Sequence, residues 1–311
     1  EVATTVRLAN RQPTVMAIPV DSTEDVALVS ARGMAIADSA DGVADGMGMV
    51  SLPDGRRVEA EGRQTTGAAC VIERNDAPVR ASEVLEMRTG VLVGENPGAI
   101  EVEAAGVKFL VDPLGGHKTG LYLDQLESYG IVAAMASGRS VLDCFSNQGG
   151  FALACAKAGA ASVTAVESGT ESIAALRANV QRNGVAVESR QDDVFDFLKR
   201  PDRPEYDLII LDPPSFTKAR GRIAEALRGY RDLHARAAKL LSKNGVLVSF
   251  SCSHHVRAHE FEDSIAEGLN DARRNMRLIR RTGQPLDHPV VMGQPETEYL
   301  KGVVLEAMPG R

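Results

Sequence analysis

From about residue 117 the chain alternates short apolar runs with longer stretches in which apolar residues recur every three or four positions. The runs are "RSVLDCFS", "SVTAVE", "YDLIILDPP" and "GVLVSFSCS", with the polar but strand-like "VESRQDD" after the second; between them lie "GGFALACAKAGA", "GTESIAALRANVQRNG", "VFDFLKR" and the stretch 218–242. Short apolar runs predict strands, and helical spacing predicts the crossovers between them. The expected fold class is therefore α/β, a doubly wound and mostly parallel sheet. Ligands of such sheets sit at the carboxyl ends of the strands, which is where the unusual residues of this chain cluster.

The first part has a different texture. Residues 1–95 carry short alternating runs punctuated by "DGVADGMGM" and "LPDGRR", which predicts a small β-rich or α+β module with RNA binding as a candidate role. "GAIEVEAAGVKFLVDP" predicts a hairpin, so that residues 96–116 link this module to an α/β domain over 117–311.

Charge is unevenly spread. Residues 1–116 hold 10 basic and 18 acidic side chains and the remainder 25 and 24, within a net charge of −7. A wholly cationic nucleic-acid binder is thereby disfavoured, but two basic stretches stand out. These are "TKARGRIAEALRGYRDLHARAAK" and "ARRNMRLIRR", each read as a solvated helix face or a phosphate-contacting surface. The four cysteines, Cys70, Cys144, Cys155 and Cys252, have no C-x-x-C spacing, so reduced thiols and no metal site are expected. No apolar run approaches the roughly 20 residues that cross a bilayer, and "EVATTVRLAN" lacks a signal-like n-region, so a cytoplasmic protein without a membrane partner is expected.

The strand ends carry the candidate chemistry. After the first strand, Gly149 and Gly150 let backbone approach a ligand at a helix N-terminus. Glu167 ends the next strand about 20 residues on, where a carboxylate can accept both hydroxyls of a ribose. The glycine pattern is not G-x-G-x-x-G and no Walker lysine follows, which turns the reading away from dinucleotides and ATP. Asp193 can accept from an adenine amino group while the Val194 amide meets a ring nitrogen; alternatively Asp192 or Asp193 caps the helix that follows. In "LDPPSF" two prolines make a rigid exit that fixes Asp212. "SFSCSHH" places Cys252 at the end of a neighbouring strand, followed by His254 and His255.

Together, "DCFSNQGGFAL", "VESGTESIAALRANVQRNG", "QDDVFDFL", "YDLIILDPPSF", "GYRDLHARAAKLLSKNGVLVSFSCS", "DHPV" and "EYLKG" resemble class I S-adenosylmethionine-dependent methyltransferases. More narrowly they resemble the bacterial 23S rRNA large-subunit methyltransferase I family, which makes 5-methylcytosine. "GVKFLVDPLGGHKTGLYLDQ" is similar to the segment that closes over the cofactor there. The resemblance covers about residues 72–307. It implies S-adenosyl-L-methionine as cofactor, with Lys118, Thr119, Phe145, Ser146, Gly149, Glu167, Ser168, Asp193, Val194 and Asp212 holding or bordering it. Large-subunit ribosomal RNA is the implied partner, and a homodimer is an allowed assembly. The chain departs from the family in lacking a recognisable PUA domain, in Asn147 and Gln148 before the glycines, and in His254 and His255.

Carbon 5 of cytosine is a poor nucleophile, so its methylation requires a thiolate to add at carbon 6. Cys252 is the residue placed for that step, with Asp212 on the pyrimidine edge. Cys144 and Cys155 are read as buried small hydrophobes. His254 or His255 could tune the thiol or act as base, with an exposed or phosphate-contacting histidine as the plainer reading. The alternatives are methylation of an exocyclic amine of adenine or guanine, a small-molecule methyltransferase, and an inactive RNA-binding protein that retains the cofactor. Amine methylation calls for an aromatic directly after the prolines; Ser215 stands there and Phe216 follows.

Overall fold

The computed structural model describes residues 4–7, 15–17, 46–51, 57–62, 70–75, 88–115, 120–200, 204–217, 220–286, 288–294 and 297–308. The chain divides into two compact units, residues 1–103 with 109–122, and residues 104–108 with 123–311. In the first unit β1 (Thr4–Arg7), β2 (Val15–Ala17), β3 (Gly46–Ser51) and β4 (Arg57–Gly62) form an antiparallel sheet in the order β2-β1-β4-β3. β5 (Cys70–Asn75) and β6 (Arg88–Gly94) make a separate antiparallel pair. β7 (Ile100–Ala104) and β8 (Val107–Val111) are the expected hairpin, turned at Ala105 and Gly106 with φ of 50° and 73°. Two successive positive φ values match the twist of a tight hairpin.

The second unit is built on a seven-stranded sheet. Its strands are β9 (Ser140–Cys144), β10 (Ser162–Glu167), β11 (Glu188–Gln191), β12 (Tyr206–Leu211), β13 (Leu241–Ser251), β14 (Met276–Thr282) and β15 (Lys301–Ala307), in the order β11-β10-β9-β12-β13-β15-β14. The first five run parallel, and β15 and β14 are antiparallel to their neighbours. Helices α1 (Leu126–Ala133), α2 (Gly150–Lys157), α3 (Thr170–Asn183), α4 (Val194–Lys199), α5 (Ile223–Lys239) and α6 (Ala258–Asp271) complete the unit. The doubly wound, mostly parallel expectation therefore holds. Chain order reverses beside β9, between β10 on one side and β12 on the other, which makes the carboxyl ends of β9 and β12 the rim of the crevice where ligands of open α/β sheets bind.

Burial explains why the central strands read as largely apolar runs. Val141 to Cys144, Leu208 to Leu211 and Val246 to Ser251 are all buried, as expected of strands covered on both faces. The main core joins Leu142, Phe197, Ile209, Tyr230, Leu247 and Phe261. Each large apolar side chain removed from water there contributes about 1.5–3 kcal/mol.

One reading is corrected. "ARRNMRLIRR" is not a helix face: α6 ends at Asp271 and Met276–Thr282 forms the edge strand β14. Pairing decides this over local propensity. Arg277 lies opposite Glu306 in the β14–β15 register and forms an ion pair with it, and Arg281 pairs with Glu262. Charged side chains on an exposed edge also discourage further strands from adding to it.

Candidate active site

The turn between β9 and α2 is held in an uncommon conformation. Phe145, Asn147 and Gly149 have φ of 62°, 50° and 95°. Left-handed backbone is rare for a bulky residue such as Phe145 and persists only where surroundings impose it. Here the Ser146 amide donates to the Val166 carbonyl at 3.1 Å, and its hydroxyl donates to the Asp143 carbonyl at 2.8 Å. The Asn147 amide donates to Glu167 Oε2 at 2.9 Å, while the Gly169 amide donates to Oε1 at 2.8 Å. Glu167 thus ties the exit of β10 to the turn after β9. Asn147 also gains a physical account, because asparagine tolerates left-handed backbone better than most residues.

Glycine is favoured at 149 and required at 150. A Cβ on Gly149 would meet Leu176 at 3.2 Å and Leu153 at 3.3 Å in addition to the positive φ. On Gly150 it would lie 2.3 Å from the Tyr129 ring.

Asp143 was not singled out from the sequence. It is buried in β9, with Oδ2 accepting from the Ala152 amide at 3.0 Å and Oδ1 without a hydrogen-bond partner. Burial pushes its carboxyl well above the usual carboxylate range, opposed by the Ala152 amide and reinforced by Asp212 and Glu167. A lone aspartate inside the apolar "SVLDC" was its available signal. A carboxyl buried with one orphaned oxygen at a strand end is a candidate ligand-binding position.

The acids after β11 divide their work. Asp193 is the N-cap of α4 and accepts from the Asp196 amide at 3.0 Å, and Asp192 pairs with Arg200. Val194 is buried and Ser168 is exposed. Lys118 and Thr119 lie outside the described residues.

β12 and β13 are adjacent and parallel, with Leu211 level with Ser249, so that Asp212 and Cys252 leave neighbouring strand ends. Gln125 Nε2 donates to Asp212 Oδ2 at 3.1 Å. The two exits are stitched together by hydroxyls: Ser215 Oγ donates to the Thr217 carbonyl at 2.8 Å and lies 3.1 Å from Ser253 Oγ. Tyr230 of α5 bonds Ser251 Oγ at 2.9 Å and Ser253 Oγ at 3.0 Å, and burial raises its pKa to about 12, so the phenol remains protonated. Cys252 itself is half-buried, whereas Cys144 and Cys155 are buried and burial pushes both thiols up.

Other side chains near this rim have structural occupations. Phe216 packs on Tyr230, with ring centroids 4.6 Å apart, and against the surface left open at Gly229. His254 stacks on Tyr299 at 5.3 Å, and the Tyr299 hydroxyl donates to Asp124 Oδ2 at 2.9 Å. Of the arginines in the two basic stretches, Arg222, Arg231, Arg236, Arg277 and Arg281 are in ion pairs with carboxylates. Among the described residues, no three His, Cys, Asp or Glu side chains are grouped to hold a metal ion, and no helix is long and apolar enough to cross a membrane.

A doubly wound sheet with a glycine turn after its first strand and an acid closing its second has the architecture of Rossmann-like methyltransferases. The family model described as S-adenosylmethionine-dependent methyltransferase matches residues 68–294, and the chain belongs to that family. It is 40% identical over 238 residues to the ribosomal RNA large subunit methyltransferase I of Photobacterium profundum, covering 75% of this chain and 60% of that protein. It is 38% identical over 244 residues to the protein of the same name from Klebsiella pneumoniae (strain 342), covering 76% and 61%. The chain thus spans about three fifths of the length of these relatives. Among solved structures, a candidate SAM-dependent methyltransferase from Streptococcus mutans aligns with a TM-score of 0.64 at 19% identity, covering 94% of this chain and 87% of that one. That likeness reports the fold.

Proposed function

We propose that this chain carries the catalytic unit of an S-adenosylmethionine-dependent RNA methyltransferase that forms 5-methylcytosine in large-subunit ribosomal RNA. The observation that carries the reading is the position of Cys252, a half-buried thiol at the end of β13, beside the β12 exit that presents Asp212. The names of the relatives from Photobacterium profundum and Klebsiella pneumoniae support ribosomal RNA as the substrate.

The residues at the strand ends fit the cofactor. Asp143 Oδ1 is a buried acceptor with no hydrogen-bond partner in the protein, suited to a cationic ammonium. The Gly149–Gly150 turn offers backbone where a side chain would collide. Glu167 ends β10 with a carboxylate whose remaining lone pairs can accept ribose hydroxyls. Phe145, Ser146, Ser168, Asp193 and Val194 would border the same groove. When bound, S-adenosylmethionine supplies an electrophilic methyl group.

Cys252 Sγ, as thiolate, would bond to carbon 6 of the cytosine, and the electrons of the 5,6 double bond would make carbon 5 nucleophilic. Asp212 would hold the pyrimidine edge and favour its protonation as sulfur adds. Loss of the carbon 5 proton to a base after methylation restores the double bond and expels the thiolate. The packing of Phe216 into the aromatic core weighs against amine methylation, because that ring is committed to Tyr230.

The test is mass spectrometry of ribosomal RNA from cells lacking the protein, followed by complementation. Loss of one 5-methylcytosine is expected, restored by the wild type and not by Cys252→Ala. An unchanged 5-methylcytosine inventory, or full restoration by Cys252→Ala, would overturn the proposal.

A further inference from the structure

The "EYLKG" motif includes a lysine that the reaction above does not use. Lys301 opens β15 directly opposite Ser251, the last residue of β13. The residue is buried, at 8% exposure. Its ammonium donates to the Ser253 carbonyl at 2.9 Å and to the Tyr299 carbonyl at 2.8 Å. Ser251 and Ser253 flank Cys252, so Lys301 is fastened on both sides of the residue that bears the thiol.

Both acceptors are neutral. Among the described residues no carboxylate forms an ion pair with Lys301, and a buried ammonium without a counter-charge is costly. The charged groups that act on it are Cys252 and Glu298; each favours the ammonium form, while burial works against it and dominates. Glu298 is exposed, so its effect is screened. From α5, Tyr230 keeps its proton and bonds the Ser251 and Ser253 hydroxyls on either side of Cys252, and Asp212 acts on that phenol from the β12 exit. The thiolate of Cys252 is therefore the one partly buried anion in this group positioned to balance Lys301.

We infer that Lys301 is a positioning residue for Cys252: its ammonium is the resident counter-charge of the thiolate, and its bond to the Ser253 carbonyl fixes the strand exit on which the thiol is carried. The inference rests on Cys252 as the nucleophile. A cation beside a cysteine favours the nucleophilic thiolate over the thiol.

The test is the pH dependence of Cys252 alkylation by iodoacetamide in the purified full chain without RNA, read by mass spectrometry of the Cys252 peptide. In the wild type the midpoint is expected below the ordinary thiol value of about 8.5. Lys301→Met should raise it by about one unit, slowing alkylation roughly tenfold at pH 7, and Lys301→Arg should restore most of the rate. A wild-type midpoint at or above the ordinary value overturns the inference even if Lys301→Met fails to fold, as does an unmoved midpoint in a folded Lys301→Met. The two readings fail separately. Methyl transfer by Cys252→Ala removes the nucleophile and leaves the alkylation result standing, whereas an unmoved midpoint beside an inactive Cys252→Ala removes only Lys301.

Discussion

The side-chain amide of Gln125 donates to the carboxylate of Asp212 at 3.1 Å, joining positions 87 apart in sequence. Gln125 lies in the short turn of helix that leads into α1, and Asp212 at the exit of β12. The bond aims a carboxylate whose rotation backbone geometry alone does not set.

Removing that bond should affect catalysis more than folding. Hydrogen bonds to charged groups contribute about 1.5–3 kcal/mol, so Gln125→Leu is expected to lower kcat/KM for methyl transfer by roughly 10- to 100-fold. Gln125 Oε1 is buried without a partner, so the substitution also relieves an unsatisfied acceptor. The melting temperature should move little. Kinetics and thermal melts on the same preparation check this, and a large loss of stability with unchanged kinetics would count against an aiming role.

Proposed to hold the ammonium of the cofactor, Asp143 should couple cofactor binding to protons. Burial holds its carboxyl well above the usual range, so the folded protein retains that proton to higher pH than a free aspartate does. A cationic group bound at Oδ1 favours the carboxylate and releases the proton, so affinity should rise with pH through the raised pKa. Calorimetry of S-adenosylhomocysteine binding in buffers of different ionisation heat should detect that release in the wild type and not in Asp143→Asn. Equal proton release by both proteins would assign it elsewhere.

The glycine turn gives a graded pair. Left-handed backbone in a non-glycine residue costs about 1–3 kcal/mol, and Gly149→Ala adds contacts of 3.2 and 3.3 Å that the leucine side chains can partly relieve. Gly150→Ala meets the rigid Tyr129 ring at 2.3 Å, which requires the ring or α2 to move. Denaturant melts should place Gly150→Ala well below Gly149→Ala in stability. The reverse order would show that backbone strain, and not overlap, limits this turn.

The central strands of the parallel sheet were legible because burial on both faces makes them largely apolar, as in "YDLIIL", whereas β11 is polar and mostly exposed. Their exits were legible because glycine, proline and acid there serve no strand. Asp143 was hidden by its setting, since one acid in a five-residue strand has no local signal and its importance depends on what surrounds it in space. Lys301, Gln125 and Tyr230 were hidden for the same reason: each acts across long sequence separations. β14 was misread because its arginines suit a helix surface locally, while the cross-strand partner Glu306 lies 29 residues away. Asp193 shows the limit of motif reading, since the carboxylate proposed for the adenine is also the cap of α4.

The acid sensitivity of the fold should trace to His234. Its ring is fully buried on α5, with Nδ1 2.5 Å from the Tyr230 carbonyl and Nε2 2.8 Å from Ser249 Oγ. A carbonyl only accepts, so Nδ1 carries the proton and Nε2 accepts from the serine hydroxyl, which is the neutral ring. Burial lowers its pKa to about 4 from the ordinary 6.5, with the Tyr230 carbonyl opposing the shift. Between those values the unfolded chain binds the proton and the folded chain does not, so stability falls as pH drops from about 6.5 towards 4 and is unaffected by this group above 6.5. By linkage the loss should reach about 2 kcal/mol at pH 5. Asp143 acts in the opposite sense, because a raised carboxyl pKa makes the folded state bind the extra proton as pH falls. Asp207, lowered chiefly by the Ser140 amide, loses its contribution only below about pH 4, outside this window. The two opposing groups are therefore separable: urea melts from pH 7 to 5 should show a steeper acid limb in Asp143→Asn than in the wild type. They should show a flatter one in His234→Gln, even though that variant begins from lower stability at pH 7.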